Sequence, residues 1–206
     1  MWLFPTKLAR GHYWLPTALV VGGTAALIAT DPQTMPHFRQ STSFDGFNRV
    51  FSSTVTGGLI AVVPVGFYTA SLIRKDSYGQ GTGLLVGEAI VDDTILMVTL
   101  KAITRRARPT EIPPNGNFSD TFFATHNSFL GKGSSFPSGH AMMSFSVATI
   151  FARRYRQHKW VPYVAYGLAA VISFARVTTG SHFLSDSFIG AATGFAIARY
   201  DVLRGE

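Results

Sequence analysis

The chain has 206 residues, of which 47% are apolar and only 14% are charged, and its net charge is +7. An ordinary soluble domain has about 25% charged residues, so this composition excludes intrinsic disorder and favours a membrane protein. The positive charge suits an anionic membrane surface, a nucleic acid or an anionic substrate. No zinc-finger, basic-zipper or RNP-type pattern is present, which argues against nucleic-acid binding. The lack of cysteine excludes disulfides and thiolate chemistry.

Six apolar segments follow one another along the chain, and each is long for a strand and lacks strict alternation. Their approximate bounds are 14–30, 53–73, 83–100, 138–152, 161–175 and 183–198. The pattern predicts an all-α fold, a bundle of about six core helices, in a single domain over residues 1–206. Two glycine pairs at four-residue spacing predict close helix contacts: Gly83 with Gly87, and Gly190 with Gly194.

The first segment follows two basic residues, Lys7 and Arg10, an arrangement that is also typical of a secretory signal. Leu27 and Ala29 do not supply the small-x-small pair of a good cleavage site, so we expect an uncleaved helix. A cleaved signal is the alternative, and both interpretations send the chain into the secretory route.

The third segment contains three acidic residues, Glu88, Asp92 and Asp93. Acidic side chains are costly in lipid and must face a protein interior or water. Several segments are also shorter than the roughly 20 residues of a full span. We expect a membrane-embedded bundle, with a soluble periplasmic bundle as the alternative. We expect Glu88 and Asp92, four residues apart, to form a buried polar pair below the site.

The basic residues of the connections favour the membrane interpretation. With six spans, four basic clusters fall on one side: Lys7 with Arg10, Arg74 with Lys75, residues 153–159, and Arg199 with Arg204. By the positive-inside tendency this side is cytoplasmic, and the other three connections lie outside. The sequence therefore predicts a multi-pass membrane protein whose candidate site faces the extracytoplasmic, periplasmic side.

A basic pair lies where the third segment ends. Lys101 is followed after six residues by Arg108, and then by Pro109. The residue before a proline is pushed out of the helical region, so the helix must end here. Both cations could bind an anion, and the structural alternative is that they complement the helix dipole.

The fourth segment begins with Phe136, Pro137, Ser138, Gly139 and His140. Ser138 can cap the helix, and the unpaired N–H groups of a helix start bind anions. Gly139 lets a phosphate oxygen approach the backbone, and His140 can donate a proton. An ordinary cap beside a surface histidine is the alternative.

Arg176, His182 and Asp186 follow at spacings of six and four residues. On a helix that begins near Ser181, Asp186 lies one turn after His182 and can meet one ring nitrogen. That contact would orient the imidazole and leave the other nitrogen free to act as a nucleophile. A purely structural His–Asp contact is the alternative.

Together these patterns, Lys-x6-Arg-Pro, Pro-Ser-Gly-His and Arg-x5-His-x3-Asp, resemble the three signature motifs of the type-2 phosphatidic acid phosphatase (PAP2) superfamily. The resemblance covers residues 101–186. Ala175 departs from it, because the family usually has a serine before the arginine, and only an accessory hydrogen bond is in doubt. The resemblance implies a metal-independent phosphatase of phosphate monoesters or pyrophosphates, with lipid phosphates as its expected substrates and membrane lipids as its surroundings.

The resemblance also implies a role for each motif residue. His182 would attack phosphorus to form a phosphohistidine, Asp186 would hold its tautomer, and His140 would protonate the leaving oxygen. No metal and no cofactor are expected, because the cations of the site would repel a metal ion. The expected phosphate-binding residues are Lys101, Arg108, Ser138, Gly139 and Arg176.

Other functions remain open from the sequence. A vanadate-dependent haloperoxidase would use His182 as its vanadate ligand, but such enzymes are much longer. A non-enzymatic lipid-phosphate binder would need the cations alone, and a soluble periplasmic acid phosphatase would keep the chemistry without the membrane. The particular substrate and the oligomeric state do not follow from the sequence.

The remaining basic residues have simpler expected roles. Arg105 and Arg106 flank the site, where we expect them to attract acidic substrates or to lie at headgroup level. His126 is near the site in sequence and could touch a leaving group. Three further histidines are expected at the surface near helix ends: His12, His37 and His158.

Overall fold

The computed structural model describes residues 13–51, 53–125 and 133–205, and within these ranges the regular structure is entirely helical. Two short 3₁₀ helices accompany the α-helices, at Pro109–Glu111 and Val202–Gly205. The seven α-helices described are α1 Trp14–Gln40, α2 Asp45–Val50, α3 Ser53–Ile73, α4 Ser77–Thr104, α5 Gly139–Arg154, α6 Trp160–Thr178 and α7 Leu184–Tyr200. The predicted all-α bundle is confirmed.

Each of the six apolar segments forms a helix, but two helices, α1 and α4, extend well beyond the apolar run. Helix α1 continues for ten residues past residue 30, through Pro32 and Pro36, because its last turns contact protein and no longer need to be apolar. Helix α4 begins at Ser77, where the Asp76 carboxylate accepts from the backbone N–H groups of the first turn. The short helix α2 was not predicted, since six residues show no periodicity.

Helix α4 ends at Thr104, five residues before Pro109, in agreement with the end that the proline predicted. Arg105 caps it in the left-handed conformation, with φ 43° and ψ 40°, and donates its N–H to the carbonyl of Lys101. Arg108 is extended, with φ −81° and ψ 147°, as the residue before a proline should be. The chain therefore leaves the helix just after Lys101 and passes across the end of the bundle.

Helix α5 lies at the centre and packs against α4, α6 and α7. Its contact with α7 requires glycine at two positions. A Cβ on Gly190 would lie 2.5 Å from the carbonyl oxygen of Ser138, and one on Gly194 would meet the backbone of Met142. The predicted close contact at Gly190 and Gly194 is confirmed, and it brings the start of α7 beside the start of α5.

The second glycine pair behaves differently. A Cβ on Gly83 would lie 2.7 Å from the Tyr68 ring of α3, but one on Gly87 would meet nothing within 4 Å. The prediction is therefore confirmed for Gly83 and wrong for Gly87, because only Gly83 lies on the α4 face that contacts α3.

The acidic residues of α4 also require a correction. The buried face of α4 includes Thr82, Val86, Ala89 and Asp93, at helical spacing. Glu88 is exposed and Asp92 half-buried, so they do not form the predicted buried pair. The acid that faces the protein interior is Asp93, because it alone among the three continues this face.

Among the described helices, α1, α3 and α6 are long and apolar enough to cross a membrane. Large apolar side chains cover their outer faces, including Leu19, Val62 and Tyr163, which are 66%, 68% and 81% exposed. Such surfaces are costly in water and suit contact with lipid. These three helices support a membrane protein.

The basic connections lie at one end of the bundle. Arg154, in the last turn of α5, donates to the hydroxyl of Thr82 and to the carbonyl of Tyr78, both near the start of α4. The connection 153–159 therefore lies beside the connection 74–76. The signature residues lie at the other end, where α4 and α6 end and α5 and α7 begin.

Candidate active site

A cavity of about 470 Å³ opens at this other end of the bundle. Ile60 and Met97 line its apolar side. Six of the eight predicted site residues line the same cavity: Lys101, Arg108, Gly139, His140, Arg176 and His182. Ser138 and Asp186 are fully buried behind it. The three motifs, separated by up to 85 positions in sequence, thus meet at one site.

His182 lies in the connection between α6 and α7 and is only 3% exposed. Its Nδ1 is 2.7 Å from the carbonyl oxygen of Ser135. A carbonyl can only accept, so Nδ1 has the proton and Nε2 retains its lone pair. Because Nδ1 is held in this way and the residue lines the cavity, the free nitrogen is available there as a nucleophile.

The contact between Asp186 and His182 is longer than the spacing predicted. Asp186 Oδ2 is 3.8 Å from His182 Nδ1, beyond hydrogen-bond distance. The same oxygen accepts from the N–H of Phe183 at 2.8 Å, and Oδ1 accepts from Arg106 at 2.6 Å. Asp186 therefore acts on His182 through its charge, whereas the carbonyl of Ser135 fixes the tautomer.

Two opposing influences act on the protonation of His182. Burial lowers the pKa of His182 below its ordinary value, the Asp186 carboxylate opposes this shift, and the cations of Lys101 and Arg108 add to it. The imidazole is consequently neutral near pH 7, which is the form a nucleophile needs.

Arg106 is buried, and the prediction of a flanking residue at headgroup level is wrong. Its side chain is 1% exposed and lies 3.9 Å from the centre of the Phe183 ring and 4.6 Å from that of Phe122. Its two terminal nitrogens bind Asp186 at 2.6 Å and Asp31 at 2.8 Å. A guanidinium is stable in such a place only with paired charges and aromatic neighbours, and the fold provides both.

Asp31 brings helix α1 into the site. It is 1% exposed, and besides Arg106 it accepts from the hydroxyl of Ser185 at 2.5 Å. Ser185 in turn accepts from Arg106 at 2.7 Å. Sequence reasoning missed Asp31 because it lies 70 residues before the first motif, although a charged residue beside an apolar segment was a signal.

The three predicted phosphate-binding cations are held in different ways. Arg176 is 1% exposed and donates to the carbonyl of Phe51 at 2.6 Å and to the hydroxyl of Ser53 at 2.5 Å. Lys101 donates to the carbonyl of Ser134 at 2.5 Å. Arg108 is half-buried and contacts the carbonyl of Ser181 at 3.4 Å. Backbone carbonyls and hydroxyls hold all three cations at the wall of the cavity, where their charge can act on a bound anion.

Ser138 caps helix α5 as predicted. It is extended, with φ −74° and ψ 111°, and its side chain accepts from the N–H of Ala141 at 3.5 Å. Its own N–H donates to the carbonyl of Asp186 at 3.0 Å, which joins the starts of α5 and α7. A Cβ on Gly139 would meet the sulfur of Met97 on α4, so any larger residue here would have to displace that flexible side chain.

His140 lies in the first turn of α5 and lines the cavity. Its Nε2 is buried and has no hydrogen-bond partner in the described parts of the chain. A buried, unpaired ring nitrogen at the wall of a cation-lined cavity is suited to exchange a proton with a bound molecule.

The other histidines fall into two groups. His37 and His158 are exposed, which confirms the predicted surface positions. His12 and His126 lie outside the described residues. Within those residues no three His, Asp or Glu side chains form a cluster that could hold a metal ion.

Comparisons with known proteins found one matching family and several similar proteins. A family model of the PAP2 superfamily matches residues 82–202. Lipid A 4'-phosphatase of Porphyromonas gingivalis is 23% identical over 161 residues, which is 78% of this chain and 66% of that protein. Lipid A 1-phosphatase of the same organism is 33% identical over 64 residues, 31% of this chain and 14% of that protein. The chain thus spans less than two thirds of either relative.

One solved structure covers nearly the whole chain. It is the crystal structure of the first transmembrane PAP2 type phosphatidylglycerolphosphate phosphatase from Bacillus subtilis. The two proteins are 20% identical, with a TM-score of 0.48, and the match covers 96% of this chain and 93% of the other.

Proposed function

We propose that the chain, which belongs to the PAP2 superfamily, is a lipid phosphate phosphatase that uses His182 as its nucleophile. The observation that supports this most directly is the position of His182 in a cavity lined by Lys101, Arg108 and Arg176. The imidazole has one nitrogen fixed by Ser135 and the other free. A phosphate held by the three cations would lie against that free nitrogen.

The reaction proceeds in two displacements. In the first, Nε2 of His182 attacks phosphorus, the bond from phosphorus to the leaving oxygen breaks, and His140 gives that oxygen a proton. In the second, His140 accepts a proton from water, the water oxygen attacks phosphorus, and the phosphorus–nitrogen bond breaks. The products are the dephosphorylated alcohol and inorganic phosphate, and His182 is regenerated.

Charge neutralisation provides most of the rate enhancement. Phosphoryl transfer requires little covalent help beyond placement and stabilisation of charge on the phosphate oxygens. Three cations anchored to backbone and hydroxyl groups supply a fixed positive surface. The same positive surface disfavours a metal ion, so we propose that activity requires none.

The protonation state of His140 depends on whether substrate is bound. In the free enzyme burial and, after it, the positive charges of Arg176 and Arg108 lower the pKa of His140 to about 4, so its imidazole is neutral. A bound phosphate reverses that balance, and a phosphate monoanion brings a proton with it. His140 therefore becomes a proton donor only when substrate is present.

Lipid phosphates are the substrate class because the cavity lies at one end of helices that suit a bilayer. Arg176 belongs to α6 and Ser53 begins α3, and both helices are candidate spans. The two Porphyromonas gingivalis relatives are lipid A phosphatases. By the positive-inside tendency the basic connections lie in the cytoplasm, so the site faces the opposite side of the membrane.

Phosphate release by the purified protein tests this proposal. A panel of lipid phosphates, lipid pyrophosphates and p-nitrophenyl phosphate should show turnover with EDTA present, and lipid substrates should be preferred. Rapid quenching with labelled substrate should trap a phosphoenzyme that is stable in alkali and labile in acid, as a phosphorus–nitrogen bond is. The His182→Gln variant should trap none. An acid-stable phosphoenzyme would identify a different nucleophile.

A further inference from the structure

A second cavity, of about 510 Å³, runs along the outside of the bundle between α3 and α6. Helices α3 and α6 both pack against α5, which forms the floor. The lining is almost entirely apolar, with Val63 and Phe67 from α3, Ala148 from α5, and Ala165 and Leu168 from α6. We call this cavity the lateral groove.

The lateral groove is closed below and open toward the surroundings. Its inner lining residues Ala148 and Ala169 are 4% and 2% exposed, whereas Val63 and Leu168 on its rims are 51% and 56% exposed. Because α3 and α6 are both candidate spans, the open side faces the hydrocarbon region. A lipid chain can enter such a groove sideways without passing through water.

The lateral groove also adjoins the candidate active site. Ile60 of α3 lines both cavities, so the two cavities adjoin at this side chain. On α6, Ile172 lines the groove and Arg176, one turn later, lines the site. From Ile172 back to Trp160 the groove follows α6 for about 18 Å, at 1.5 Å per residue. A chain lying there would have its polar end beside the three cations.

We propose that the lateral groove binds one acyl chain of the lipid phosphate whose headgroup occupies the active site. This inference rests on the proposed function and adds the part of the substrate that the cations do not recognise. Lipid tails are as apolar as the groove, so its benefit is packing and alignment rather than removal of the chain from water. A tail fixed beside Ile60 directs the phosphate toward His182, and long chains are aligned better than short ones.

A pair of matched substitutions on α6 tests the proposal. Ala165 lines the lateral groove, and Ala170, five residues later, is exposed and does not. Ala165→Trp should lower kcat/KM for a long-chain phosphatidic acid by roughly tenfold or more, because misalignment at the reacting centre is costly. It should leave dihexanoyl phosphatidic acid and p-nitrophenyl phosphate within about twofold of wild type. Ala170→Trp should change none of the three.

A second pair of substitutions, on α3 at the opposite wall of the groove, provides a test if the Ala165→Trp variant does not fold. Val63 lines the lateral groove, whereas Val62 is 68% exposed and lies outside it. If Ala165→Trp loses p-nitrophenyl phosphatase activity as well, Val63→Trp against Val62→Trp decides the question by the same criteria. Wild-type turnover of long chains in both groove variants would overturn the proposal.

The same assays distinguish a failure of the groove inference from a failure of the proposed phosphatase function. If the wild type hydrolyses p-nitrophenyl phosphate but does not prefer long-chain over dihexanoyl phosphatidic acid, the groove has no role and the phosphatase chemistry stands. If the wild type hydrolyses neither p-nitrophenyl phosphate nor any lipid phosphate, the proposed function fails and the groove inference fails with it.

Discussion

Arg106 donates a 2.6 Å hydrogen bond to Asp186, the carboxylate that acts on His182. Its other terminal nitrogen donates to Asp31 of α1 at 2.8 Å. The negative charge that His182 experiences therefore depends on how one cation is shared between two buried acids. Through this pair the first helix, far from the motifs in sequence, contributes to the electrostatics of the proposed nucleophile.

Neutralising Arg106 and neutralising Asp31 should shift the pH dependence of kcat/KM in opposite directions. His182 must be neutral to attack, so its pKa sets the acid limb of kcat/KM. Arg106→Gln removes a positive charge, raises the pKa of His182 and should move that limb to higher pH. Asp31→Asn removes a negative charge and should move it to lower pH, each by on the order of one pH unit.

The pH profiles with p-nitrophenyl phosphate measure these shifts while Lys101, Arg108, His140 and Arg176, the other charged or titratable groups near the imidazole, stay unchanged. Arg106→Lys keeps the charge and should return the limb toward wild type. Each change breaks a buried ion pair, which costs about 3–5 kcal/mol, so thermal unfolding should accompany the profiles. Shifts of the same sign in both variants would show that the network is only structural.

The sequence predicted the helices and the motif residues because both depend on local patterns. Runs of apolar residues determine helices, and the fixed spacings within each motif placed Lys101, His140 and His182 at helix ends that meet. The burial of Arg106 could not be predicted in this way. Arg105 and Arg106 are adjacent and chemically alike, and only the path of the chain after the left-handed Arg105 decides that Arg106 turns inward.

Several supporting contacts could not be predicted from the sequence either, because backbone atoms make them. The carbonyl of Ser135 fixes His182, and the carbonyl of Phe51 holds Arg176. Any residue type has a carbonyl, so neither position shows a signal in its side chain. Asp93 was recognised as acidic, but its burial depends on which face of α4 meets α5.

Replacing His182 by alanine should abolish turnover. The change removes the proposed nucleophile, and activity should fall below about a hundredth of wild type, since loss of a general acid alone often costs 10² to 10⁴ in rate. Phosphate release from p-nitrophenyl phosphate measures it. His182 is buried, so circular dichroism should confirm that the fold survives. A folded variant with substantial residual activity would contradict the nucleophile assignment.

Replacing His140 by alanine should depend on the leaving group. A nitrophenolate leaves without a proton, whereas an alkoxide needs one, so p-nitrophenyl phosphate should be hydrolysed with a smaller loss than an alkyl phosphate. The measurement is the ratio of kcat/KM for p-nitrophenyl phosphate to kcat/KM for the alkyl phosphate. A larger ratio in His140→Ala than in the wild type would show that His140 donates the proton. If both substrates suffer equally, His140 has some other role in the site.

Vanadate should inhibit the enzyme and EDTA should not. Vanadate forms a five-coordinate adduct with a nucleophile, which resembles the transition state and therefore binds tightly. Inhibition of the wild type should be competitive with substrate. Because His182→Ala is expected to be inactive, vanadate binding is measured for that variant instead, and the binding should be lost. Loss of activity in EDTA with recovery on addition of Mg²⁺ or Zn²⁺ would show that a metal takes part.

The orientation in the membrane should follow the basic connections. If the positive-inside tendency sets the topology, residues 110–135 and 176–182 lie outside the cytoplasm and residues 153–159 lie inside. The chain has no cysteine, so single cysteines report without background. Asn115 and Gln157 are both exposed, the first in the connection between α4 and α5 and the second between α5 and α6.

In intact cells a membrane-impermeant maleimide that crosses the outer envelope should label Asn115→Cys and leave Gln157→Cys unlabelled until lysis. The reverse pattern would place the site in the cytoplasm and contradict the orientation. Labelling of both cysteines when only the outer envelope is permeabilised would indicate a periplasmic bundle at the membrane surface. That result would overturn the membrane-spanning arrangement and the entry of acyl chains through the lateral groove, but His182 and its cations would keep their chemistry, because their contacts lie within the bundle.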